Sequence, residues 1–181
     1  MKTKYQEIIK FWFEEINKSQ WWHKDDGFDQ LILERFSAIH TMASKCELFE
    51  WRQNADGRLA EIIILDQFSR NMFRNSPQAF AQDSLALALS QQAIAAGIDN
   101  LLDGDKRSFL YMPFMHSESS KIHKVALELF EKNDNQSSIN FEKKHKDIID
   151  RFGRYPHRNQ ILARHSTEEE KDFLKQPGSA F

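Results

Sequence analysis

Between Arg151 and Asn159 the chain places three guanidiniums, one imidazole and one carboxamide around Gly153 and Pro156. Polar heads this dense are costly to bury and have little use on a plain surface turn. Arginine forks suit a small anion or another polar ligand. Two readings are open. In one, Arg151, Arg154, Arg158 and Asn159 hold an anion while His157 moves a proton beside them. In the other, arginines at a helix C-terminus satisfy the last carbonyls and the negative dipole end. That second reading covers one or two arginines, but not His157, Arg158 and Asn159 after the turn. From Glu142 to His165 seven Lys or Arg stand against three acids, a basic window in a slightly acidic chain.

His116-Ser117-Glu118 follows an apolar segment. His116 and Glu118 could act as acid and base, or as two metal ligands. The structural alternative is a loop whose Ser119 or Ser120 caps the next helix. Asp66 and Arg70 are four apart at the end of an otherwise apolar helix, with Arg74 a turn further on. They form a second wall of a pocket, or a network tying helices together. No metal is assigned, and no cofactor follows from these residues. His145 lies on an apolar helix face and reads as a hydrogen-bonded core histidine. Trp12, Trp21, Trp22 and Trp51 read as core rather than as a stacking platform. The Walker phosphate loop, the dinucleotide-binding glycine pattern, His-Glu-x-x-His and Gly-x-Ser-x-Gly are absent.

These side chains need elements to hold them, and nearly every segment has a helical period. Tyr5, Ile8, Ile9, Trp12 and Ile16 form one apolar stripe; Phe28, Leu31, Ile32, Phe36, Ile39 and Met42 form another. Trp21 to Gly27 reads as a loop between them. Leu59 to Phe73 is apolar on most faces and belongs at the centre. Ser76-Pro77 opens a helix, with Ser76 as N-cap, that runs to Gly97. Pro113 should kink or end the segment Phe109 to Met115. Ile122 to Phe130 and Phe141 to Phe152 carry further stripes, separated by a polar loop from Asn133 to Ser138. Thr167 to Glu170 is a capping box opening a last short helix. The expectation is one all-α domain over residues 1–181, of about eight to ten helices, with a loose tail from about 176.

The whole-chain totals set outer limits. A chain of 181 residues buries a sizeable core, and fifteen Phe with four Trp make that core rich in rings. A net charge of -2 makes nucleic acid an improbable partner and gives no attraction to an anionic membrane. The lone Cys46 rules out an internal disulfide framework, and Met1 to Lys4 lacks the pattern of a signal peptide. The expected home is a reducing cytoplasm.

Four runs carry a resemblance: Phe11 to Phe13; Leu65 to Asn71 with Arg74; Phe109 to Glu118; and Arg151 to Asn159 followed by Arg164, Ser166-Thr167 and Glu169-Glu170. In order and spacing they resemble the bacterial family known as domain of unknown function 924, from about Ile8 to Leu174. The resemblance implies an all-helical, tetratricopeptide-like superhelix and no established reaction. The family's recurrent polar residues map onto Asp66, Arg70, His116, Glu118, Arg151, Arg154, His157, Arg158 and Asn159. The chain departs from the family pattern at Ser69, Tyr155 and Ala163, where proline, phenylalanine and glycine are expected.

Three functions compete at this level. The first is a pocket binding or turning over a small anionic metabolite, with His116, Glu118 and His157 moving protons and Asp66, Arg70, Arg151, Arg154, Arg158 and Asn159 binding. The second is an interaction scaffold taking acidic peptides along a concave face. The third, RNA binding by the basic window, is opposed by the net charge. The oligomeric state is not legible.

Overall fold

The computed structural model describes residues 4–179. Among them it has nine α-helices linked by short 3₁₀ and π turns, with no strand. The expected all-α class is therefore what forms. In chain order the helices are α1 (Tyr5–Lys10), α2 (Asp26–Ser44), α3 (Ala55–Ile63), α4 (Ser69–Met72), α5 (Asp83–Ala95), α6 (Gly104–Met115), α7 (Ser120–Lys132), α8 (Gln136–Phe152) and α9 (Glu168–Leu174).

Helix α3 runs through a π turn, Ile64–Phe68, into α4. Every residue from Leu59 to Ser69 is buried, so this rod is the centre the apolar pattern requires. Phe11, Phe36 and Phe68 pack on one another at 4.9–6.0 Å between ring centroids. One apolar core reaches from Ile8 to Ile139. A small second cluster of Ile148, Ile149 and Tyr155, with Phe152 and Phe173, seats the C-terminal segment.

Local chemistry accounts for several boundaries. Asp25 and Asp103 cap α2 and α6 by accepting backbone N–H bonds. Thr167 and Glu170 close the expected capping box on α9. Gly97 and Gly153 take left-handed φ values of 72° and 69° after α5 and α8, where a side chain would be strained.

Elsewhere the structure departs from the pattern. Ser76-Pro77 opens a 3₁₀ turn, Pro77–Phe80, and α5 begins only at Asp83. Ser76 donates its hydroxyl back to the Phe73 carbonyl instead of capping. Pro113 sits inside α6, which runs on to Met115. Only one helical bond is lost there, and burial of the whole turn holds it. The residues after Trp21 are preceded by a 3₁₀ turn, Lys18–Trp21, and α8 already starts at Gln136 within the expected loop. Ser119 stands at the N-cap of α7 but makes no side-chain cap bond. Trp12 is core, but Trp22 is 57% exposed, lying flat between Phe109 and Phe141 at 6.1 and 6.2 Å. In the tail Ser179 is buried and donates to the Leu174 carbonyl. Ala180 and Phe181, like Met1 to Thr3 in the N-terminal reading, lie outside the described residues.

Candidate functional site

The π turn places Asp66 at the polar end of the central rod, with 1% of its surface exposed. Its carboxylate is satisfied from several sides. Gln67 Nε2 donates to Oδ2 at 2.6 Å, and Arg70 Nη1 lies 3.2 Å from Oδ1. His116 Nδ1, at the C-cap of α6, lies 2.7 Å from Oδ1. Burial pushes the Asp66 carboxyl up, but His116, Arg70 and Gln67 together hold it well below the usual carboxylate range. Burial, and then Arg70, push the His116 imidazole below its usual 6.5, against the pull of Asp66. An ionised carboxylate only accepts, so Nδ1 of the neutral ring carries the hydrogen and Nε2 keeps a lone pair.

Behind the pair two arginines share one carboxylate. Arg70 grips Asp83 in a fork at 2.9 and 3.0 Å. Arg158 reaches the same carboxylate at 3.3 Å and the His116 carbonyl at 3.1 Å. Arg158 is 6% exposed. Its guanidinium lies 4.6 Å from the Phe80 ring and 4.5 Å from that of Tyr155, and Nε has no hydrogen-bond partner.

These groups border a cavity of about 310 Å³. Pro77, Phe80, Ala81, Leu87, Pro113 and Leu162 make its apolar wall; Asp83, Ser84, His116, Ser117, Glu118 and Arg158 make its polar side. The 3₁₀ turn and early residues of α5 supply one wall, and the end of α6 supplies the other. His116 and Arg158 thus border the same space as an apolar lining.

The other candidates are placed elsewhere. Glu118 borders the cavity, but both oxygens are engaged. Arg164 forks onto it at 2.6 and 2.9 Å, and the Tyr155 N–H donates to Oε1 at 2.7 Å. Burial raises the Glu118 carboxyl, yet Arg164 and the Tyr155 N–H outweigh that and keep it ionised. Through both oxygens Glu118 holds the 154–164 turn. Arg154 forks onto Glu170 at 2.7 and 2.8 Å. Asn159 donates to Ser166 Oγ at 3.0 Å and accepts from Arg164 Nε at 3.0 Å. Both fasten α9 to the body of the protein. Arg151 pairs with Glu169 at 2.8 Å and stacks on Phe152 at 4.7 Å. His157, its pKa lowered to about 4 by burial and Arg158, packs on Tyr155 with ring centroids 5.5 Å apart. Neither it nor Arg151, Arg154 or Asn159 borders the cavity. The three-arginine clamp is thus dispersed, because acids distant in sequence claim two of its members.

Some contributors escaped the motif reading. Asp83 looks like an ordinary first-turn acid of α5, and only its two arginines reveal more. Tyr155 carries a hydroxyl that is not idle. It donates to the Met115 carbonyl at 2.5 Å and lies 3.2 Å from His123 Nε2. His123 is paired in turn with Glu142 at 2.7 Å, both completely buried. Ser69 also replaces the expected proline with a bonded hydroxyl, 2.8 Å from His40 Nε2 and 2.6 Å from the Leu65 carbonyl. His145 is the buried histidine its helix face implies, held by the Phe141 carbonyl at 2.8 Å. No group of three or more His, Cys, Asp or Glu is placed to hold a metal among the described residues. No helix among them is long and apolar enough to cross a membrane.

Fold and site together define an all-α protein with a buried carboxylate–imidazole pair at the wall of a small cleft. The chain belongs to a family described as bacterial protein of unknown function, DUF924, whose model matches residues 8–178. A solved structure of a protein of unknown function from Agrobacterium tumefaciens is 36% identical. It superposes with a TM-score of 0.90 over 94% of this chain and 96% of that one. No curated protein matches the chain.

Proposed function

We propose that the cleft binds a small anionic metabolite and that the Asp66–His116 pair exchanges a proton with it. The supporting observation is the 2.7 Å carboxylate–imidazole contact, on a histidine that borders the 310 Å³ cavity. Asp66 holds one tautomer and leaves a basic nitrogen on the ring, the arrangement general base catalysis requires. Arg158, in the same wall, supplies the positive charge for the anion. A scaffold for acidic peptides, on the tetratricopeptide-like superhelix the family implies, has less support. Arg151 and Arg154, which its groove would use, are already engaged by Glu169 and Glu170.

Titration calorimetry with phosphate, sulfate, nucleotides, coenzyme A and mono- and dicarboxylates tests the reading. Run in two buffers of different ionisation enthalpy, it also counts protons exchanged on binding. At least one anion should bind with proton exchange, and His116→Gln should remove the exchange. Absence of binding across the panel, or exchange unchanged in His116→Gln, would refute the proposal.

A further inference from the structure

We infer that the anion is a monocarboxylate with an apolar body, its carboxylate held by the edge of Arg158. This rests on the pocket reading above and narrows its ligand class.

Charge arithmetic around the cleft is the first argument. Asp83 is neutralised by the Arg70 fork, and Glu118 by the Arg164 fork. Asp66 draws on Arg70 and on the imidazole. Arg158 is left with the long 3.3 Å share of Asp83 as its only carboxylate contact. With His116 neutral, Arg70, Arg158 and Arg164 balance Asp66, Asp83 and Glu118, so the surroundings tolerate one added negative charge better than two. A phosphate dianion would bring two charges against Asp83 and Glu118, which border the same space.

Shape gives the second argument. The Phe80 and Tyr155 rings lie against the guanidinium, 4.6 and 4.5 Å from its central carbon. Packing of this kind fixes the plane of the fork and favours a planar acceptor at its N–H edge. A carboxylate is planar and a phosphate is not. Arg158 is 94% buried by its 6% exposure, and its Nε lacks a partner. That nitrogen is sealed from the cleft; the terminal nitrogens make only bonds of 3.3 and 3.1 Å, which leaves them room for a better acceptor.

The third argument is the remainder of the wall. Phe80, Leu87, Pro113 and Leu162 face the same cavity and offer a ligand no polar side-chain group. A volume of about 310 Å³ is at the low end for small-molecule sites. A short aliphatic or aryl acid matches both the size and the mixed polar and apolar lining.

Calorimetry with hexanoate, phenylacetate, phenyl phosphate and inorganic phosphate decides it. Hexanoate or phenylacetate should bind. Phenyl phosphate should bind about tenfold more weakly or less, and inorganic phosphate should give no heat. Arg158→Lys keeps the charge but loses the fork, and should weaken the acid about ten- to a hundredfold. Ala81→Trp, at an exposed position in the wall, should fill the cleft and abolish binding with melting unchanged. That variant keeps the test decisive if Arg158→Lys fails to fold. Phenyl phosphate binding as well as phenylacetate, or a nucleotide binding where the acids do not, overturns the monocarboxylate and leaves the pocket standing. Acid binding indifferent to Ala81→Trp overturns the placement. No binding of any anion removes the pocket reading as well.

Discussion

Asp66 Oδ1 and His116 Nδ1 lie 2.7 Å apart although fifty positions separate them in the chain. The contact joins the end of the central rod to the end of α6, so it carries stability as well as chemistry. Asp66→Asn leaves Arg70 and the imidazole without their buried carboxylate. It should cost about 3–5 kcal/mol in urea unfolding, the range for breaking a buried pair. His116→Gln should cost less, about 1–3 kcal/mol, since Arg70 and Gln67 still serve Asp66. Equal losses would show that the imidazole, not Arg70, is what keeps Asp66 ionised.

Arg154 is tied into the fold by Glu170 and the His165 carbonyl. Its fork on Glu170 and its bond to the His165 carbonyl at 2.8 Å hold α9 in place. Arg154→Ala should lower the urea midpoint, with the side chain's exposure keeping the loss well short of the buried-pair range. Ligand affinity in calorimetry should not change. A double-mutant cycle with Glu170→Ala should show clear non-additivity.

Acid should destabilise the protein through its buried histidines. Burial lowers the pKa of His145 to about 3 and that of His157 to about 4; it lowers His40 and His116 as well. Below the ordinary value of 6.5 the unfolded chain takes up protons that the folded chain refuses. Stability from these groups is therefore fully present above 6.5 and declines as pH falls towards their folded values. Each contributes a slope of about 1.4 kcal/mol per pH unit. Glu142 runs the other way. Burial raises its carboxyl, and its contribution declines as pH rises from 4.5. The histidines outnumber it, so urea midpoints should fall between about pH 7 and about pH 5. His145→Gln should flatten that fall, and a flat wild-type profile would contradict it.

Ala163 has a φ of 52°, in the left-handed region. Glycine is the residue such a backbone angle favours, as the resemblance led one to expect. A Cβ there costs about 1–2 kcal/mol, offset in part by the extra freedom glycine has when unfolded. Ala163→Gly should raise stability by up to about 1 kcal/mol, read as a higher melting temperature. A lower melting temperature would show that the turn bears no such strain.

Gly57 poses the opposite constraint. A Cβ there would lie 2.1 Å from the Trp51 carbonyl oxygen, a backbone atom that cannot rotate away. Gly57→Ala should push the 3₁₀ turn Phe49–Gln53 off α3, costing about 1–3 kcal/mol. Unchanged stability would mean that this turn yields freely.

Much of this protein is written in local sequence. Apolar stripes at three- and four-residue spacing place the helices, because one face of each must leave water. Gly97, Gly153 and the Thr167–Glu170 box mark ends through backbone rules that act within a few residues. The polar runs likewise mark Asp66, Arg70, His116 and Arg158 as candidates, together with Glu118, Arg151, Arg154, His157 and Asn159. Local rules do not reach to which guanidinium faces the cleft. Arg151, Arg154 and Arg158 look alike in the chain; the acids of α9 engage the first two, and Asp83, 75 positions away, meets the third. Nor do they reveal that Glu118 is occupied by Arg164, since that pairing spans 46 positions. Charge pairing and burial depend on distances between segments that only packing brings together. Tertiary structure therefore decided which polar residues hold the fold and which are left to meet a ligand.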